Sequence, residues 1–254
     1  MNPVQIRNLE IGTGAPKIIV PIVETTKKGI LEQAEAIAGL NPDAVEWRMD
    51  FFESVDDFSQ VDQVLDGLRA LLGDVPILAT FRTAQEGGEK DISKEDYLAL
   101  YEHILEQGQA DAIDVELFMG PDVFQPLVNK AHAAGKVIVA SNHDFQKTPP
   151  KEEIIRRLVA MEDLGADIAK IAVMPQSMND VMTLMSATRQ MVDEHAKGPV
   201  ITMSMSKLGV ISRIAGEAFG SSMTFGAAGK TSAPGQIEIS ELRTLLNQLH
   251  KTLA

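Results

Sequence analysis

Short apolar runs rich in β-branched residues alternate along the chain with longer stretches of helical periodicity. The runs are Lys17–Glu24 (KIIVPIVE), Ala44–Asp50 (AVEWRMD), Pro76–Arg82 (PILATFR), Ala112–Phe118 (AIDVELF), Lys136–Asn142 (KVIVASN), Ile168–Met174 (IAKIAVM), Pro199–Met205 (PVITMSM) and Ser221–Gly226 (SSMTFG). Near-continuous apolarity over so few residues is what a strand covered on both faces requires. The stretches between them carry helix signals. Ser93 opens SKEDYLALYEHILEQG with Asp96 three residues on as a capping-box partner and Gly108 as the stop. Thr148-Pro149 opens KEEIIRRLVAMEDLG, which ends at Gly165. Similar segments are expected near Thr25–Gly39, Val55–Gly73, Asp122–Gly135, Ser177–Lys197, Lys207–Phe219 and Ser240–Leu253. Strand–helix units that start about every 30 residues predict a (β/α)8 TIM barrel, with Val4–Ile11 as a strand or hairpin closing its bottom. A doubly wound sheet shares the alternation but does not need eight units. No linker or low-complexity tract divides the chain, so residues 1–254 are expected to form a single catalytic domain.

Composition narrows the function without choosing it. The chain has 254 residues, 44% of them hydrophobic, enough for one sizeable core. A formal net charge of −13 argues against a general nucleic-acid binder, yet a few arginines can still make a local pocket for a small anion. With no cysteine there is no disulfide, thiolate metal site or cysteine nucleophile. The opening MNPVQIRNLEIGTGAPK lacks the basic start and apolar segment of a signal peptide, and no apolar run approaches the roughly 20 residues of a membrane span. A soluble cytoplasmic protein without membrane contact is therefore expected.

In a barrel, chemistry sits at the C-terminal ends of the strands. Polar residues cluster there in this chain: Glu46, Arg48 and Asp50 after the second run, Arg82 and Glu86 after the third, Ser141 to Asp144 after the fifth, Met203 to Lys207 after the seventh. Glu46, Arg48 and Asp50 share one side of their strand, so they must face a polar lumen or pair with each other. Lys170 is the sharpest case, flanked by Ile168, Ala169, Ile171 and Ala172. Three readings stand for it: a lysine ion-paired in the lumen for structure, one on an outward edge, or an amine that attacks a carbonyl. His143 lies where a general acid–base would sit, on the strand next to that of Lys170; a hydrogen-bonded structural group at a strand end is the alternative. The remaining histidines, His103, His132, His195 and His250, fall in helical stretches without metal-ligand spacing, and no metal is expected. Arg48, Arg82 and Arg213 are candidates for gripping a carboxylate or for pairing with Glu46, Asp50 or Glu86. A structural pairing of Arg213 with Glu217, one turn on, is the bland alternative. Gly229 to Gln236 is a Gly-, Ser- and Pro-rich loop, either a mobile cover or a plain turn.

Several motifs together, in order and with matching spacing from Gly14 onward, resemble one family. They are Glu46-Trp-Arg48, Phe81-Arg-Thr-Ala-Gln-Glu-Gly-Gly88, Ser141-Asn-His-Asp-Phe145, Lys170-Ile-Ala-Val-Met-Pro175, Met203-Ser-Met-Ser-Lys207, Ser212-Arg213 and Ser232-Ala-Pro-Gly-Gln236. The chain is similar to the type I 3-dehydroquinate dehydratases. The resemblance implies a lyase of the shikimate pathway that converts 3-dehydroquinate to 3-dehydroshikimate through a lysine Schiff base, without a cofactor, as a homodimer. It implies that Lys170 forms the imine, that His143 moves protons and that Glu86 orients His143. Arg213 would hold the carboxylate; Glu46, Arg48, Arg82, Ser232 and Gln236 would bind hydroxyls; Met203 and Met205 would line the pocket. Strand one departs from the family pattern: Pro21 stands where a serine is common, and proline offers neither hydroxyl nor N–H. A class I aldolase, or a barrel kept for binding alone, is the rival reading.

Overall fold

Each of the eight apolar runs forms a strand in the computed structural model, which describes residues 1–253. A hairpin comes first, β1 (Val4–Ile6) with β2 (Leu9–Ile11), antiparallel around Arg7 and Asn8. The ring follows as β3 (Lys17–Ile22), β4 (Ala44–Arg48), β5 (Ile77–Thr80), β6 (Ala112–Glu116), β7 (Val137–Asp144), β8 (Ile168–Val173), β9 (Val200–Ser204) and β10 (Met223–Ala227). From β3 to β9 each strand pairs in parallel with the next, and β10 pairs in parallel with β3. A short β11 (Ile237–Glu238), not foreseen from the sequence, adds to β10. The ring closes thinly between β9 and β10. There the Ser222 amide donates to the Val200 carbonyl at 2.8 Å, and the Ser221 hydroxyl accepts from the Thr202 amide at 3.0 Å. A side chain thus stands in for a backbone partner.

The alternation of the pleat explains why the strands read as continuous apolar runs. Along β8, Ala169, Ile171 and Val173 pack toward the helices, while Ile168 and Ala172 belong to the separate cluster inside the ring. That inner cluster is apolar at its lower end, where Ile19, Ala44, Leu78, Ala112, Ile168 and Ile201 meet Ile6 and Ile11 of the hairpin. The hairpin plugs this end, and Arg7 ties it down through Asp74 (2.9 Å) and Asp111 (3.1 Å). The expected closure of the bottom is therefore present as a hairpin.

Around the ring run α1 (Lys27–Ala38), α2 (Phe58–Leu72), α3 (Lys94–Gln107), α4 (Pro121–Ala133), α5 (Lys151–Asp163) and α6 (Met178–Glu194). The short α7 (Val210–Ile214) and α8 (Gly216–Phe219) and the final α9 (Ile239–Leu253) complete the set. α2 shows the logic: Val61, Val64, Leu65, Leu68 and Leu72 are buried at helical spacing, and Asp57 caps its start by accepting from Ser59 and Gln60. Ser93 caps α3 by accepting from the Asp96 amide and Gly108 ends it at φ +80°, but the Asp96 carboxylate accepts from the Ser93 hydroxyl and not from its backbone amide. The full reciprocal box is instead Ser177 with Asp180, at α6. Residues Lys207–Phe219, expected as one helix, break into α7 and α8. Among the described residues no helix is long and apolar enough to cross a membrane.

Candidate active site

The upper half of the lumen reverses the character of the lower half. Glu46 and Arg48 of β4, Asp114 and Glu116 of β6, Ser141 of β7 and Lys170 of β8 face it, and every one is buried. Lys170 is 2% exposed. Its Nζ donates to Asp114 Oδ2 at 3.0 Å, lies 3.6 Å from Glu46 Oε1, and stands 4.6 Å from the centre of the Phe225 ring. Glu46 is steadied by the Thr80 hydroxyl at 3.0 Å. The ion-paired reading of Lys170 thus describes its resting contacts, and the same amine lines an open cavity. It is the one lysine among the residues lining that cavity, which holds about 430 Å³ including its mouth, a size suited to a small metabolite.

Arg82 knits the carboxylates together. Its Nη1 donates to Glu116 Oε1 (2.8 Å) and the Ser141 hydroxyl (2.9 Å), its Nη2 to Asp114 Oδ1 (2.8 Å), and Glu86 Oε2 lies 3.6 Å away. Burial alone would lift the Asp114 carboxyl, but Arg82 and then Lys170 outweigh it and hold the group at about 2. Arg48 is claimed by Asp50 through two bonds of 2.7 Å and rests over the Phe51 ring. Asp50 also accepts from the Arg82 and Glu89 amides, so it pins the loop after β5 to the end of β4.

His143 belongs to β7 itself, two residues beyond Ser141 on the same face, and pairs in register with Ala172 while Ser141 pairs with Lys170. Amine and imidazole are therefore lumen neighbours one step apart along the barrel axis. Glu86 sits in the turn after β5 and addresses His143 twice, accepting from its backbone amide at 2.8 Å and contacting Nδ1 at 3.0 Å. Burial, then Arg82, Lys170 and Arg48, push the imidazole well below its usual value. Burial and Glu116 push Glu86 up to about 8 against the pull of Arg82. A neutral imidazole is favoured, the form that can take up a proton. Gly87, at φ +83°, follows Glu86; a side chain there would run into the Phe145 ring at 2.3 Å.

The other side of the cavity is apolar, built from Met203 and Met205 beside Phe225. Above it lie Ser232 and Gln236, which bond to each other through Ser232 N to Gln236 Oε1 (3.0 Å) and Gln236 Nε2 to Ser232 Oγ (2.9 Å). Their loop is fastened where the Pro234 carbonyl accepts from the Ser206 amide and from Arg213 Nη2, each at 3.1 Å. Gly235 there has φ +83°, and a Cβ would meet the Ser206 carbonyl oxygen at 2.4 Å. Arg213 is not among the lining residues; it stands behind Met203, whose sulfur is 3.9 Å from Nη1. It is 1% exposed, its Nε is unpartnered, and among the described residues no carboxylate pairs with it. Burial alone draws its guanidinium down to about 10. The alternative pairing with Glu217 does not form, because that carboxylate bonds His250 Nδ1 at 2.6 Å.

Of the residues singled out from the sequence, Glu46, Arg48, Arg82, Glu86, His143, Lys170, Met203, Met205, Ser232 and Gln236 line this one cavity. Sequence reasoning passed over Asp114, Glu116, Thr80 and Phe225. The period-two placement of Asp114 and Glu116 within AIDVE was the available signal. Pro21 lies in register with Glu46 and is absent from the cavity wall. Among the described residues no group of three or more His, Asp or Glu side chains is placed to hold a metal ion.

The family profile described as type I 3-dehydroquinase matches residues 18–253. The chain is 53% identical to the 3-dehydroquinate dehydratase of Listeria monocytogenes (strain HCC23) over 251 residues, 99% of each chain. Among solved structures, that of the type I 3-dehydroquinate dehydratase from Clostridium difficile, with covalently modified comenic acid, is 51% identical, with a TM-score of 0.97 over 99% of each chain. The enzyme from Geobacillus kaustophilus gives a TM-score of 0.96 at 38% identity, over 98% of this chain and 97% of that one. With the barrel, the cavity and a near full-length match in agreement, this chain belongs to the type I 3-dehydroquinase family.

Proposed function

We propose that this enzyme dehydrates 3-dehydroquinate to 3-dehydroshikimate, a step of the shikimate pathway, through an imine on Lys170. The observation that carries the proposal is a single buried lysine on the cavity wall, one strand from a histidine held by a carboxylate. The ammonium gives a proton to His143, and the free amine attacks the ketone carbon. The carbonyl oxygen leaves as water with that proton and one from the nitrogen, giving a protonated imine. The protonated imine then draws electrons from the neighbouring C–H bond, His143 takes that proton, and an enamine forms. The enamine pushes out the hydroxyl on the next carbon, which leaves as water with a proton from His143. A water molecule hydrolyses the imine and frees Lys170. Water lost on imine formation is returned at hydrolysis, so the net change is one dehydration.

The charges around the ring suit these steps. Asp114 and Glu46 flank the nitrogen where positive charge persists in the imine. Arg213 is assigned the substrate carboxylate: a buried guanidinium whose partners are a carbonyl and a thioether is an unfilled anion site. Arg48 and Arg82, each already bound to carboxylates, present hydroxyl-binding edges at the cavity, and Ser232 and Gln236 do so from the covering loop. The family resemblance adds a homodimer to this reading.

Borohydride reduction in the presence of 3-dehydroquinate should fix one adduct, and peptide mass mapping should place it on Lys170. Lys170→Ala should lose both the adduct and turnover, by about four orders of magnitude or more. Turnover without any trapped adduct, or an adduct on another lysine, would sink the proposal.

A further inference from the structure

Behind the Glu86–His143 pair runs a chain of side chains that the reaction above does not use. Asn142 precedes His143 on β7 and is 2% exposed. Its Nδ2 donates to Glu86 Oε1 at 2.9 Å, and its Oδ1 accepts from Arg157 Nη1 at 2.8 Å. Arg157, on α5, is itself gripped by Glu153 one turn earlier, Nε to Oε1 at 2.7 Å, and rests over the Phe118 ring. The contacts therefore run Glu153, Arg157, Asn142, Glu86, His143, from the outer face of the barrel to the cavity.

We propose that Arg157 is a positioning residue for His143, acting through Asn142 and Glu86; this rests on the proton-transfer role given to His143 above. An asparagine amide can present either its oxygen or its nitrogen to a neighbour. A guanidinium has donors and no acceptor, so Arg157 claims the amide oxygen and leaves the N–H to Glu86. Released from Arg157, the amide can turn over and set its oxygen against the Glu86 carboxylate, two acceptors facing each other. The cation also polarises the amide and strengthens its donation. Both effects keep Glu86 Oε1 occupied by a donor and Oε2 turned to the imidazole.

The other groups facing the pair stay in place when Arg157 changes. Glu86 is faced by Arg82 from its own segment, Glu116 from β6 and His143 from β7; His143 is faced by Arg82 and Glu86, by Lys170 from β8 and by Arg48 from β4. Arg156 supplies a control, since it bonds the same Glu153 with both Nε and Nη2 but makes no bond to Asn142.

The test measures kcat, KM and the pH profile of Arg157→Met, Arg157→Lys and Arg156→Ala, with 15N-histidine spectra to read the His143 tautomer. Arg157→Met should lower kcat about tenfold, as loss of an orienting partner behind a working group does. KM should hold, the acidic limb of the kcat profile should move to higher pH, and the His143 tautomer signal should change. Arg157→Lys should restore most of the loss, and Arg156→Ala should match the parent enzyme. A parental kcat, pH profile and tautomer in Arg157→Met overturn the proposal, as does an equal loss in Arg156→Ala. If Arg157→Met does not fold, Arg157→Gln decides, because it keeps much of the side chain without the cation: kcat and the acidic limb must still move, and parental values overturn the proposal. Absence of a borohydride adduct in the parent enzyme would instead count against the imine.

Discussion

The two walls of the upper lumen handle charge in opposite ways. On the arc from β4 to β8, each ionised group has a partner: Lys170 with Asp114, Arg82 with Asp114 and Glu116, Arg48 with Asp50. On the arc of β9, β10 and the covering loop the wall is methionine and phenylalanine, and its one buried charge, Arg213, has no counter-ion among the described residues. Paired charges in a dry site are fixed in place, which suits groups that must meet a reacting carbon in one geometry. An unpaired cation burdens the fold and is relieved only when an anion arrives. The first wall is built for chemistry, the second for capture.

The largest effect on stability should come from breaking the paired wall. Asp114→Asn keeps the shape and removes the charge shared by Arg82 and Lys170, and should cost roughly 3–5 kcal/mol in urea unfolding. A loss below about 1 kcal/mol would mean that Glu46, Glu86 and Glu116 suffice without it. On the other wall the sign inverts. Arg213→Met should raise KM at least about thirtyfold, from roughly 2–5 kcal/mol of lost binding, while leaving the fold about 1 kcal/mol more stable. A lowered melting temperature with unchanged KM would place Arg213 in the structural class and erase the contrast. The smallest effect concerns pH. Glu86 is raised to about 8 in the fold, so its contribution to stability is complete below about pH 4.5 and declines as pH climbs through 8. Glu86→Gln should remove that part of the slope, and melting temperatures at pH 5 and pH 8 should converge by roughly 5–10 °C relative to the parent. Parallel curves for the two proteins would show that Glu86 titrates normally.

What the sequence disclosed follows the same division. The barrel was legible because strands buried on both faces are apolar throughout, and Lys170 stood out because nothing around it explained a charge. Asp114 and Glu116 were harder to see. Their run, AIDVELF, reads as an ordinary strand until the alternation is split into faces, and which face looks inward depends on closure of the ring. The isolation of Arg213 was also beyond reach, since Glu217 one turn on offered a plausible partner; only the claim of His250 on that carboxylate rules it out. The helix expected from 207 starts late, at Val210, for a backbone reason. Gly209 lies so close to the Ser204 carbonyl, where a Cβ would fall at 2.1 Å, that the chain must fold back before the helix can begin. Side-chain periodicity carries no record of that approach.

The thin closure between β9 and β10 gives the ring the mechanics of a split washer. Elsewhere neighbouring strands share ladders of several residues, but here one backbone bond and one serine hydroxyl do the joining. Local opening starts where the fewest bonds must break, so the amide protons of Thr202 and Ser222 should trade with solvent deuterium ahead of those in β6 to β8. The two lips of the split carry Met203 and Phe225; Asp114 and Glu116 lie across the ring on β6, while Lys170 stands on β8, one strand from the lip. The amine borders the weakest seam of the ring and is held by Asp114 and Glu46 from the other side, so the hydroxyl of Ser221 closes the barrel beside the reacting nitrogen.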